Sequence, residues 1–192
     1  MTLLAPWRSV LARALHRNRS LAHARYLQLA TLTLAQRPAN RTVVFRGFLE
    51  ASNQLKFVTD ARSAKIEQIR DQAWAEACWY FPKTREQFRI SGQLACIDEH
   101  CADQDLQKQR VLMWQSLSDA AREQFTWPAP GLPVIAQTVA QGVDGKHPVS
   151  SFCLLLLEPD RIDHLELRTD PQHRCLYVQD QSEQWVTTSV NP

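Results

Sequence analysis

The sequence lacks any Cys-x-x-Cys spacing, and its five cysteines are odd in number and mostly embedded in apolar stretches, where a thiol behaves as a small hydrophobe. That argues against a disulfide framework or a cysteine-held zinc and predicts reduced thiols. The six histidines show no His-x-His or His-x-x-x-His spacing, so no two are placed together as metal ligands, and no metal is expected. Charge of one sign is equally scarce. Twenty-two Lys and Arg face 20 Asp and Glu, and a net charge of +2 is too small to announce a nucleic acid or an anionic membrane as partner. The longest apolar run after the first few residues, Phe152 to Leu157, is far short of the roughly 20 residues that span a bilayer. At the start, Met1 to Arg8 has no basic residue ahead of its brief apolar patch, and Pro6 and Trp7 interrupt that patch; the expected location is the cytoplasm. Only five glycines are present, with no P-loop or dinucleotide cradle among them.

What is present suffices for one buried core: 192 residues at 44% hydrophobic content predict a single domain over residues 1–192. Apolar residues at Trp7, Val10, Leu11, Ala14 and Leu15 recur at helical spacing and predict an amphipathic helix from Trp7 to about Arg19. Tyr26 to Leu34 fits a strand or a short buried helix. Pro38, Ala39 and Asn40 read as a turn before a β-branched and aromatic strand from Thr42 to Phe48, and Leu55 to Thr59 follows as a third strand. A short helix is expected from Ser63 to about Arg70, then strands at Trp74 to Phe81 and Gln87 to Ile97. Residues 101–125 turn polar with helical spacing, and Ser118 is placed to cap a helix over Asp119 to Gln124. Residues 127–150, opening on Trp127-Pro-Ala-Pro-Gly-Leu-Pro133, predict a long surface excursion. Strands return at Ser151 to Leu157, Ile162 to Leu167, Cys175 to Gln179 and Trp185 to Thr188, with Pro159-Asp160 as a turn. Many short strands with a few helices argue for a closed or partly open barrel.

Two basic clusters could carry chemistry. Arg37, Arg41 and Arg46 fall within ten residues free of acid, around the apolar run Thr42 to Phe45. They are either solvated charges on an edge strand or cations awaiting an anion. Strand alternation puts Arg41 and Arg46 on opposite faces unless a bulge intervenes, so they should not serve the same atoms of one ligand. The second cluster, Thr59-Asp-Ala-Arg62-Ser63-Ala-Lys65, joins a strand end to a helix start, where free backbone amides, a hydroxyl and two cations can hold a phosphate. The plain alternative is an ordinary helix cap followed by surface charges.

The succession Arg41-Thr-Val-Val-Phe-Arg46-Gly-Phe, then Phe57-Val-Thr-Asp-Ala-Arg62-Ser63-Ala-Lys65-Ile, then Glu86-Gln87-Phe-Arg89-Ile-Ser-Gly92, resembles the flavin-binding core of the pyridoxamine 5'-phosphate oxidase-like family. The bacterial and cyanobacterial related subgroup is also similar at Leu117-Ser-Asp-Ala-Ala-Arg122, Trp127-Pro-Ala-Pro-Gly131 and Val190-Asn-Pro192. The resemblance implies a mainly β fold, an FMN-binding split β-barrel with peripheral α-helices, working as a homodimer with FMN at the interface. It implies that Arg41, Arg62, Ser63 and Lys65 hold the FMN phosphate, that Thr59 lies along the flavin, and that Arg46 lies nearer the ring and substrate. Gln87 would bond the ring with Arg89 as helper, and Arg174, ahead of Cys-Leu-Tyr177, would contact flavin near the C-terminus.

The substrate side departs from that pattern. No tyrosine lies between Asp98 and Trp127, the C-terminal element reads Arg168-Thr-Asp-Pro-Gln-His-Arg174, and Leu165 stands where the family has a tryptophan. The expected function is therefore an FMN-dependent oxidoreductase of unassigned substrate. A non-turnover FMN carrier or sensor, a true pyridoxamine/pyridoxine 5'-phosphate oxidase, and a nucleic-acid-binding barrel using the arginine cluster are the other readings. Trp74, Trp79, Trp114 and Trp185 read as core packing, Cys153 as an inert buried thiol, and His164 and His173 as surface or satisfied polar groups.

Overall fold

Proline and glycine placement decides how this chain divides its strands. The computed structural model describes residues 4–134 and 142–192. Its elements in chain order are α1 (Trp7–Asn18), β1 (Tyr26–Leu32), β2 (Pro38–Val44), β3 (Leu55–Asp60), α2 (Ala64–Asp71), β4 (Trp74–Phe81), β5 (Glu86–Ile97), α3 (Gln104–Gln115), α4 (Asp119–Glu123) with a 3-10 turn Gln124–Thr126, β6 (Phe152–Glu166), β7 (His173–Gln179) and β8 (Trp185–Val190). All strand pairs are antiparallel. The order is β2-β1-β4-β5-β6-β7-β8, with β3 also pairing β6. Among the described residues, no helix is long and apolar enough to cross a membrane.

The hinge of this topology is β6. One edge runs along β5, while the other pairs β3 over residues 152–157 and β7 over residues 161–166. The sequence suggested two strands with a turn at Pro159-Asp160; instead one 15-residue strand passes through. Gly92 is registered with Pro159 and Ser91 with Arg161, so Asp160 is the extra residue of a bulge. Gly92 permits this: a Cβ there would lie 2.0 Å from the Glu158 carbonyl oxygen and 2.8 Å from the Pro159 Cα. Proline sits where a ladder hydrogen bond is already interrupted, and the strand changes partner there.

Strands β2-β1-β4-β5-β6-β3 thus wrap into a barrel left open between β2 and β3, with β7 and β8 continuing as a wing. Its interior alternates as expected, with Leu27 and Leu29 from β1, Leu55 and Phe57 from β3, Ala77, Trp79 and Phe81 from β4, and Phe88 and Ile90 from β5. Trp7 and Leu11 of α1 close one end. Each large side chain taken fully out of water here stabilises the fold by about 1.5–3 kcal/mol. A second cluster, Met113, Trp114, Leu117 and Phe152, packs α3 and the α4 segment outside β3 and β6.

Two further expectations change. Pro38 to Asn40 belong to β2, because proline is tolerated on an edge strand, and the turn lies earlier, where Gln36 has φ +56°. Trp79 and Trp114 are fully buried, but Trp74 is 45% exposed. The excursion over 127–150 falls partly outside the described residues; its flanks, 127–134 and 142–150, hold no helix or strand.

Candidate functional site

The opening of the barrel is a cavity of about 490 Å³. Arg41 to Val44 and Arg46 line one wall, Val58 to Asp60 and Lys65 the other, and Leu117, Ala121, Gln124, Phe125, Trp127 and Pro128 form a roof. Arg41 and Arg46 therefore border one cavity, which the open edge of β2 lets residues of both strand faces line. Regular structure stops at Val44, and the chain turns through Gly47 at φ +103° while Arg46 N donates to Lys56 O at 2.8 Å and Lys56 N to Gly47 O at 2.8 Å.

Arg41 comes from the inward face of β2 at the polar end of the barrel. Its guanidinium donates to Leu29 O at 3.2 Å, Thr31 Oγ1 at 2.6 Å and Gln68 Oε1 at 3.1 Å. Lys65, in the first turn of α2, donates through Nζ to Thr59 Oγ1 at 2.8 Å and Ser63 Oγ at 2.6 Å. Burial and then the Arg41 charge hold the Lys65 ammonium below its ordinary value, and burial does the same to Arg41. Arg46 Nε is buried without a hydrogen-bond partner. Among the described residues, Arg41, Arg46 and Lys65 form no salt bridge.

Three half-buried cations, none paired with a carboxylate in a salt bridge among the described residues, form an electrostatically incomplete site, because like charges repel and burial strips them of water. Asp60 lines the cavity but is committed elsewhere. Arg62 Nε and Nη2 grip its carboxylate at 2.9 and 2.6 Å, and Arg62 Nη2 also donates to Trp127 O at 2.9 Å. The Asp60 hydrogen bond raises the Arg62 pKa. Arg62 in this structure faces the roof rather than the cavity. Ser151 adds a second stitch, its Oγ donating to Phe125 O at 2.5 Å and its carbonyl accepting from Ala61 N at 2.7 Å.

The remaining expected residues lie elsewhere. Gln87 and Arg89 share the outward face of β5, separated from β2 by β1 and β4. Arg89 donates to Glu76 at 2.9 and 3.0 Å, and Arg174 chelates Asp163 at 2.9 and 2.7 Å. Arg174 registers with Leu165 and Leu165 with Gln87, so the three expected residues occupy neighbouring rows of one outer surface. His164 is buried, 3.0 Å from Glu86 and stacked on Phe88 at 4.3 Å, which makes it a packed polar group. Sequence reasoning missed the roof and the supports Thr31 and Gln68. The aromatic, proline-rich Trp127 segment was the available signal.

A barrel split between two strands, with a cationic strand-to-helix junction at the split, defines the FMN-binding split-barrel class. The family model "Pyridoxamine 5'-phosphate oxidase, FMN-binding domain" matches residues 4–98. Pyridoxine/pyridoxamine 5'-phosphate oxidase 2 of Arabidopsis thaliana is 40% identical over 196 residues, covering 100% of this chain and 99% of that protein. The crystal structure of a pyridoxamine 5'-phosphate oxidase-related, FMN-binding protein from Nostoc punctiforme superposes with a TM-score of 0.96 at 58% identity over the whole of both chains. PhzG from Burkholderia lata, solved with tetrahydrophenazine-1-carboxylic acid, shares the fold at a TM-score of 0.77 and 18% identity, covering 100% of this chain and 99% of that one. The chain belongs to the pyridoxamine 5'-phosphate oxidase-like FMN-binding family, and FMN is its cofactor. The unneutralised cations at the seam fit a phosphate monoester.

Proposed function

We propose that this protein is an FMN-dependent oxidoreductase that acts as a homodimer, with each flavin held between two copies. The observation that carries this reading is the set Arg41, Arg46 and Lys65, three cations at one seam of which none, among the described residues, is in a salt bridge. Bound FMN supplies hydride or electron transfer at its ring. The residues of the chain position and polarise: Lys65, Ser63, Arg41 and the first amides of α2 hold the phosphate, Thr59 orients Lys65, and Arg46 sets its positive charge nearer the ring. Arg62 holds the roof against the phosphate turn, so its part in binding is chiefly to position the segment ending at Trp127.

Gln87, Arg89 and Arg174 support the dimeric reading. They lie on the outward face of β5 and of the β7 wing, and none of them lines the seam, as expected if the flavin they meet is anchored on another copy. The same outer surface exposes Tyr26, Trp74 and Tyr80 at 45–49%, aromatic area of the kind that enriches interfaces. Tyr80→Glu with Trp74→Glu should yield a monomer that binds FMN weakly, read by light scattering and flavin fluorescence. A variant that stayed dimeric and fully loaded would remove this surface from the site.

Pyridoxine and pyridoxamine 5'-phosphate are the first substrates to test, given the name of the Arabidopsis relative. Under anaerobic conditions a substrate should bleach the visible band of the bound flavin. A carrier would leave the band unchanged with every candidate. Fractionation should place the protein in the cytoplasm.

A further inference from the structure

The start of the chain is free of acid, and several of its arginines stand around α1 and the turn into β1. All 20 acidic residues follow Leu49, whereas eight of the 22 basic residues precede it. Of those eight, Arg41 and Arg46 reach the seam and Arg8 lies over the Phe48 ring at 3.4 Å. Arg37 is exposed in the connection between β1 and β2, and Arg13, Arg17, Arg19 and Arg25 are exposed around the second half of α1 and the turn into β1. Among the described residues none of the four around α1 is in a salt bridge.

Beside them, between α1 and the exit of β2, lies a cavity of about 540 Å³ that shares no lining residue with the seam. Its walls include Leu11, Leu15, Leu21, Phe45 and Phe48, and its polar lining is His16, Arg19 and Arg25. Arg19 Nη1 lies 2.7 Å from His16 Nε2 and donates to His16 O at 3.0 Å, which holds these two groups together. The Arg25 side chain makes no hydrogen bond among the described residues, while its carbonyl accepts from Phe45 N at 2.8 Å and so fixes the rim to the wall.

An apolar chamber with a cationic edge selects its occupant by chemistry. A polyanion would use the arginines but has no part to place against Leu11, Leu15 and Phe45. A neutral apolar compound would fill the chamber and leave both arginines unused. A carboxylate at the end of a hydrocarbon chain uses both, its tail removing apolar surface from water and its head group accepting charge-assisted bonds from Arg25 and Arg19. We propose that this corner is a second ligand site, separate from the cofactor seam, for an unbranched carboxylate of the fatty-acid type.

The test is calorimetric titration of the FMN-loaded protein with dodecanoate, below its micelle concentration, against dodecanol and dodecyltrimethylammonium. Dodecanoate should bind with one-to-one stoichiometry at least tenfold more tightly than either. Arg25→Glu should weaken dodecanoate tenfold or more and leave dodecanol unchanged, and Leu15→Trp, which fills the chamber, should abolish both, with the flavin spectrum retained in each variant. Equal affinity for the acid and the alcohol, no binding of dodecanoate, or binding that survives Leu15→Trp would overturn the proposal. So would sedimentation with phosphatidylglycerol vesicles in the absence of monomeric dodecanoate binding, which would make the corner a membrane-facing surface.

Discussion

Replacing Lys65 by methionine separates a phosphate ligand from a structural lysine. Two of the three ammonium N–H groups are used by Thr59 and Ser63, which leaves one, and the charge, for a phosphate. A charge-assisted hydrogen bond contributes roughly 1.5–3 kcal/mol, so Lys65→Met should weaken FMN about 10- to 150-fold at ~1.4 kcal/mol per decade. The free protein should lose far less. Burial and the Arg41 charge already disfavour the ammonium, and methionine removes that penalty together with the two hydroxyl contacts. Quenching of flavin fluorescence on titrating the cofactor-free protein measures the affinity, with riboflavin, which lacks the phosphate, as control. Riboflavin binding should change by less than threefold. An equal loss for both ligands would show that Lys65 merely supports the fold, and an unchanged FMN affinity would refute the phosphate assignment outright.

Four further outcomes follow from the same geometry. Arg46→Ala should lower the reduction potential of bound flavin while FMN affinity stays within a few fold; spectroelectrochemical titration at an unshifted potential would remove Arg46 from the ring. Arg62→Ala should loosen the roof, seen as faster proteolysis between Trp127 and Val134 at a stability cost of about 1 kcal/mol, and cleavage at the wild-type rate would argue against the stitch. Gly92→Ala should cost roughly 1–3 kcal/mol in urea unfolding, because its Cβ would meet the Glu158 carbonyl oxygen at 2.0 Å and backbone cannot move aside cheaply; a neutral result would contradict the bulge. The Arg174 hydrogen bonds hold Asp163 below the ordinary carboxylate range despite its burial, helped by the Arg174 and Arg89 charges. A depressed carboxylate contributes stability that is complete above its unfolded value of about 3.9 and lost as pH falls through the lower folded one. Asp163→Asn should therefore destabilise the protein at pH 6 and flatten its acid limb below about pH 4, whereas an acid limb parallel to wild type would exclude Asp163 as its source.

The strand-to-helix junction was legible because its chemistry is local: Thr59, Ser63 and Lys65 stand within seven residues and meet within one turn. The arginine strand was legible in content but not in direction, since strict alternation separates Arg41 from Arg46 and does not show that the open edge of β2 lets both border one cavity. Pro159 misled in the opposite way. Proline usually ends a strand, and nothing local announces that Gly92, far along the chain, makes room for it. The roof was illegible for the same reason, as Arg62 reaches Phe125 and Trp127 across more than sixty residues. The outward rows holding Gln87, Arg89 and Arg174 follow from period-two alternation once the strands are placed, but sequence alone does not say what covers them.

A crystal structure of the protein grown with FMN tests the phosphate seat directly. The phosphate should lie within hydrogen-bond distance of Lys65 Nζ and the Arg41 guanidinium at the start of α2, with the ring running along the seam toward Gln87 and Arg174 of a second copy. A phosphate seated anywhere else, or a seam closed by the Asp60 carboxylate turning onto Lys65, would contradict it.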